Sequence, residues 1–105
     1  MPMETYALEI AETESGEGIT ADVYDEAGTI AASTRANYAD YDLEADRDDG
    51  PPEPIERETA ADVTALDAQF ERDDGGFVFR VLGDREELLR ARVEDDEWGL
   101  ARVDG

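Results

Sequence analysis

Residues 55–81 read IERETAADVTALDAQFERDDGGFVFRV, and the fold turns on how the first nineteen of them are taken. Ile55, Thr59, Val63, Leu66 and Phe70 recur at intervals of four, four, three and four, a spacing that stacks them along one side of a helix. Pro54 suits a first helical position. Glu53, Glu56 and Glu58 suit the positive end of the helix dipole, and Arg72 suits the last turn. These signals predict an amphipathic helix over 55–73. The competing reading takes Leu66, Ala68 and Phe70 as alternate residues of a strand that turns at Gly75-Gly76 and pairs with Phe77 to Leu82. The four-step pattern runs over 16 residues, longer than most strands, and so favours the helix. On that reading Asp73 and Asp74 are solvated turn residues, followed by a glycine able to adopt φ > 0.

On both sides of this segment the polarity alternates with period two, the mark of half-buried strands. Tyr6, Leu8 and Ile10 form the apolar set of a first strand, Ile19, Ala21 and Val23 that of a second, and Ile30 to Tyr38 a third. The polar, Gly-rich ETESGEG (12–18) and the turn DEAG (25–28) separate them. Residues 1–38 are thus expected to form an antiparallel meander. Beyond them, ADYDLEADRDDGPPEP (39–54) carries acid runs and three prolines, and reads as a mobile connection. After Gly76, Phe77, Phe79 and Val81 share one face and Val78, Arg80 and Leu82 the other. Turns at GDREE (83–87) and DDE (95–97) divide 76–104 into a second meander.

The expected order β-β-β-α-β-β-β defines a single α+β domain: a two-layer sandwich of a six-stranded antiparallel sheet with one helix packed across it. An all-β sandwich or small barrel of seven strands is the alternative. A chain of 105 residues suffices for one such core and not for two.

Thirty acidic residues face nine basic ones, all arginine, for a net charge of −21. Exposed like charges at this density repel in dilute buffer, where screening acts over about 10 Å, and much less in molar salt, where it acts over about 3 Å. Acid-rich and free of lysine, the whole chain resembles the small acidic cytoplasmic proteins of extreme halophiles by composition. That resemblance implies an environment and no activity. The first residues show no basic signal region, and no apolar run is long enough to span a membrane, so a soluble cytoplasmic protein without membrane association is expected.

The chain has no cysteine, histidine or lysine, which removes thiolate nucleophiles, the usual zinc ligands, the commonest general base and Schiff-base chemistry. Asp42, Glu44, Asp46 and Asp48 alternate as in a calcium loop, yet a loop begun at Asp42 has Arg47 where an EF-hand needs glycine. Carboxylate pairs at 48–49, 73–74 and 95–96 sit in turns, without the apolar flanks that raise a carboxyl pKa. No catalytic residue, cofactor or metal is expected.

Charge is uneven: residues 1–71 hold 20 acids and three arginines, residues 72–105 ten acids and six arginines. Arg80, Arg90, Arg92 and Arg102 fall opposite the Phe77/Phe79/Val81 face, with Trp98 and Leu100 expected among them. Arginine, tryptophan and aliphatic side chains on one sheet face suit contact with a protein partner or a second copy of the chain. The same arginines could instead pair with neighbouring acids, or hold a phosphate or carboxylate. Nucleic acid is disfavoured by the net charge and by inward-pointing phenylalanines. Two other functions stay open: a small-ligand receptor or enzyme with a pocket between helix and sheet, and an acidic mimic of nucleic acid.

Overall fold

A computed structural model describes residues 3–46, 50 and 52–103. Arg47, Asp48, Asp49 and Pro51 of the expected linker, and Asp104 of the second meander, lie outside the described residues. Among the described residues nine strands form three sheets: β1 (Glu4–Glu12), β2 (Gly18–Tyr24), β3 (Ile30–Asn37), β4 (Leu43–Ala45), β5 (Ile55–Ala61), β6 (Leu66–Arg72), β7 (Gly76–Gly83), β8 (Glu86–Glu94) and β9 (Leu100–Arg102). The strand orders are β3-β2-β1-β5, β6-β7-β8 and β4-β9, and every pairing is antiparallel.

The helix expected over 55–73 is absent, and the α+β class is corrected to all-β. A step of four residues is even, so Ile55 and Thr59, or Leu66 and Phe70, share one face of a strand as readily as one side of a helix. Only the step of three, Val63 to Leu66, separates the two geometries, and there the chain turns. The Asp84 carboxylate fixes that turn by accepting the backbone N–H groups of Thr64 and Ala65, at 3.1 and 3.0 Å. Each half then gains a ladder: Glu4–Ile10 of β1 pairs with β5, and all seven residues of β6 pair with β7. A helix would have left those edges of the two meanders open.

ERDDGG is accordingly a hairpin turn. Arg72 stands opposite Phe77, Asp73 N–H donates to the Gly76 carbonyl at 3.1 Å, and Gly75 N–H donates to Asp73 Oδ1 at 3.0 Å. Gly76 is required for close approach rather than for φ > 0, since a Cβ there would sit 2.4 Å from the Val93 carbonyl oxygen.

The two larger sheets face each other, with β3 lying against β6 and β5 against β8, so that seven strands enclose one core. Tyr6, Leu8, Ile10, Ile19, Ala21 and Val23 meet Ala68, Phe77, Phe79, Val81, Ala91 and Val93 inside it. Among the described residues no polar or charged side chain is buried. Each large apolar side chain so enclosed contributes about 1.5–3 kcal/mol.

The stretch read as a mobile connection is partly built into this core. Tyr38–Tyr41 form a 3-10 turn, Tyr41 packs edge-on to Phe77 with ring centroids 5.4 Å apart, and Leu43 is buried. β4 pairs with β9, so the expected third strand of the C-terminal meander leaves the β6-β7-β8 sheet and closes over the linker instead. The buried side chains of Trp98 and Leu100 pull it there.

Candidate functional site

The outer face of the β6-β7-β8 sheet is set by strand parity. With Phe77, Phe79 and Val81 inward, the alternate residues Val78, Arg80 and Leu82 of β7 point out. Register places Gln69, Arg80 and Arg90 in one row across the three strands, and Glu71, Val78 and Arg92 in the next. Three of the six expected contact residues, Arg80, Arg90 and Arg92, are thus brought together. Arg102 is exposed but lies on β9, paired with Leu43 of β4 and outside this sheet. Trp98 and Leu100 are only 4% and 8% exposed and belong to the core, so they add nothing to an outer patch.

The three arginines differ in how firmly they are held. Arg92 spans two elements: its guanidinium grips the Asp73 carboxylate through both Nη atoms, and its Nε donates to Glu94 Oε1 at 2.5 Å. That pairing, with the Gly75 N–H, holds the Asp73 carboxyl well below the usual carboxylate range, and Asp73 in turn raises the Arg92 guanidinium. Arg92 is a clamp between the β6–β7 turn and β8. Arg90, by contrast, is 60% exposed and, among the described residues, pairs with Glu87, at 2.9 Å. Arg80 pairs through Nη2 with Glu71, whose side chain is 70% exposed, while its own Nε is buried without a hydrogen-bond partner. Such an orphan donor costs about 1–3 kcal/mol.

At one end of this face the β7–β8 turn places both Asp84 (φ 50°) and Arg85 (φ 76°) in the left-handed region, where asparagine and glycine are the usual residues. Asp84 is held by its bonds to Thr64 and Ala65; Arg85 has no such compensation in the described contacts. Beside it lies an open groove of about 450 Å³, lined by Leu66, Asp67, Gln69, Leu82, Asp84 and Arg85. Sequence reasoning passed over Gln69 and Arg85. The available signal for Arg85 was an Asp-Arg pair at a two-residue turn where Asp-Gly is normal.

A second groove, of about 690 Å³, opens at the other end of the molecule between the end of β3, the 3-10 turn and β4. Arg35, Asn37, Tyr38, Asp42, Leu43 and Val103 are among its walls. On the outer face of the four-stranded sheet, Glu9 stands between Asp22 and Glu56 in register. That row ends at Ser33, and its neighbours hold Ala7 with Tyr24 and Ala11 with Thr20, so the carboxylates do not repeat regularly across the face. Among the described residues no cluster of acids could hold a metal ion, and no helix is long and apolar enough to cross a membrane.

No family model, curated protein or solved structure matches the chain.

Proposed function

We propose that this protein is a non-enzymatic interaction module whose contact surface is the outer face of the β6-β7-β8 sheet, and whose partner is a protein segment bearing carboxylates. The observation that carries the reading is the pairing of Arg80 directly opposite Arg90, with Arg80 Nε buried and unpartnered. Like charges opposed across strands raise the free energy of the uncomplexed protein. An incoming carboxylate relieves that repulsion, and a modest turn of the guanidinium lets it take the orphan donor as well. Glu71 and Glu87, both solvent-accessible, are easily exchanged for a better-placed anion. Arg92 braces the sheet, and Arg85 with Gln69 extends the polar rim toward the smaller groove.

Molar salt makes this chemistry compatible with a net charge of −21. When screening acts over about 3 Å, the partner senses the local arginines and not the distant acids. The test is capture in molar KCl from the native cells with wild-type protein and with an Arg80→Gln/Arg90→Gln variant of unchanged circular dichroism. A partner retained by the first and lost by the second supports the reading, and identical capture by both removes it.

A small-ligand receptor is the second reading, favoured by the groove of about 690 Å³. The helix expected over 55–73 being strands, the groove that supports this reading is the one between β3, the 3-10 turn and β4. Chemical-shift changes confined to Tyr38, Leu43 and Val103 on screening small molecules would establish it.

A further inference from the structure

We infer, on the small-ligand reading of the larger groove, that its ligand is a zwitterion: a carboxylate and an ammonium or guanidinium joined by a methylene stem, as in a basic amino acid. The groove, of about 690 Å³, falls within the range of about 300–1,000 Å³ usual for small-molecule sites. Among the described residues its walls carry one guanidinium, Arg35, and four carboxylates, Glu17, Asp40, Asp42 and Glu44. None of these side chains forms an ion pair in the described contacts. Arg35 is tied instead to a neutral amide, its Nε donating to Asn37 Oδ1 at 2.7 Å. Asn37 occupies the N-cap of the 3-10 turn, where an asparagine side chain ordinarily accepts a backbone N–H, yet it makes no such bond. Its carbonyl is given to Arg35, which leaves the two Nη groups of the arginine and Nδ2 of the amide as donors at the end of β3.

Those donors make a seat for a carboxylate, whose two oxygens accept from a guanidinium edge and an amide together. On the β4 side, Asp42 and Glu44 stand on a wall braced by β9: Val103 N–H donates to the Asp42 carbonyl at 2.8 Å, and Leu43 and Ala45 pair with Arg102 and Leu100. Apolar side chains complete the lining, with Leu43 buried and Val103 45% exposed. The charges select the ligand. A simple anion would reach Arg35 but face four carboxylates, and a simple cation would face the guanidinium. A zwitterion satisfies both, with its carboxylate on Arg35 and Asn37, its cation on Asp42 and Glu44, and its stem along Leu43 and Val103. Molar salt screens the distant acids over about 3 Å and leaves contacts at hydrogen-bond range in force.

Chemical-shift titration of the full chain in molar KCl, with 6-aminohexanoate, L-lysine, hexanoate and hexylamine, is the test. The two zwitterions are expected to shift Tyr38, Leu43 and Val103, and to bind about tenfold more tightly than hexanoate or hexylamine. Arg35→Gln should weaken 6-aminohexanoate to the level of hexylamine, and Asp42→Asn/Glu44→Gln to the level of hexanoate. Asparagine tolerates the φ of 55° at position 42, so the second variant keeps the fold. Arg80→Gln/Arg90→Gln leaves binding unchanged. Nα-acetyl-lysine separates two sources of the same chemistry: binding equal to that of lysine assigns a chain ending in lysine, weaker binding a free amino acid, and both support the zwitterion. Hexanoate or hexylamine binding as tightly as 6-aminohexanoate, Arg35→Gln binding it as the wild type does, or no shift from either zwitterion overturns the inference. Shifts at the same residues from other small molecules would then keep the groove as a site, and their absence would remove the small-ligand reading with it.

Discussion

Arg80 on β7 stands directly opposite Arg90 on β8, so two guanidiniums occupy neighbouring positions on one sheet face of a strongly acidic chain. Opposed side chains of this kind have Cβ atoms about 4.5–5.5 Å apart, and like charges there are destabilising by a few tenths of a kcal/mol or more. A double-mutant cycle with Arg80→Gln and Arg90→Gln, read by urea unfolding, should return a repulsive coupling of about 0.5 kcal/mol in dilute buffer. The coupling should shrink in molar KCl as screening tightens. A coupling of zero or of attractive sign would mean that the opposed arginines leave no electrostatic cost for a partner to relieve.

Arg72 and Asp95 form a two-bonded pair at 2.7 and 2.8 Å, with side chains 14% and 16% exposed, and the guanidinium lies 4.7 Å from the Phe77 ring centroid. The pair ties the β6–β7 hairpin to the turn after β8. Arg72→Met should cost about 3 kcal/mol, because it strands a largely buried carboxylate. In a domain of this size that corresponds to a fall in Tm of roughly 15 °C. Arg72→Met/Asp95→Leu should cost less than Arg72→Met alone. Calorimetry of the three proteins in one salt decides it, and a double variant less stable than the single would contradict the account.

Acid should dismantle the Arg92–Asp73 clamp. The guanidinium and the Gly75 N–H hold the Asp73 carboxyl below its ordinary range, so the folded state gives up this proton more readily than the unfolded state does. The stabilisation is therefore complete above the unfolded pKa of about 3.9, and is lost as pH falls through the lower folded value. The gap in urea midpoint between wild type and Asp73→Asn should be constant from neutral pH down to about 5 and narrow progressively below about 4. Comparing the two proteins at each pH cancels the general relief of self-repulsion that acid brings. A gap unchanged at the lowest pH that still leaves the protein folded would show that Asp73 acts by shape alone.

Arg85 holds φ at 76°, and among the described contacts no side-chain bond explains it. The left-handed region costs a non-glycine residue about 1–2 kcal/mol, so Arg85→Gly should stabilise the fold, by up to about 1 kcal/mol after glycine's entropy is counted. If Arg85 belongs to the contact surface, the same change weakens partner capture while raising Tm. A variant less stable than wild type would mean that the arginine is held by packing, and would take it out of the site.

The strand faces were legible from residue order alone. Alternation in Tyr6-Leu8-Ile10, Ile19-Ala21-Val23 and Phe77-Phe79-Val81 assigns each side chain to core or solvent, because a strand offers only two directions. The first meander and the outward placement of Arg80, Arg90 and Arg92 follow from that parity. Residues 55–72 were not legible, because steps of four satisfy a helix and a strand equally. The choice between them belongs to distant groups: the open edges of β1 and β7, and the Asp84 carboxylate that fixes the turn between β5 and β6. Trp98 and Leu100 were misplaced for a related reason. Period two tells which residues share a face, but which sheet a short strand joins depends on where buried area is to be gained, and here β9 gains it over Leu43 rather than beside β8. The ion pair that makes Arg92 a clamp exists only once the turn carrying Asp73 is brought beside β8. Sequence order carries the parity of this protein; long-range hydrogen bonding and burial decide its partners across space.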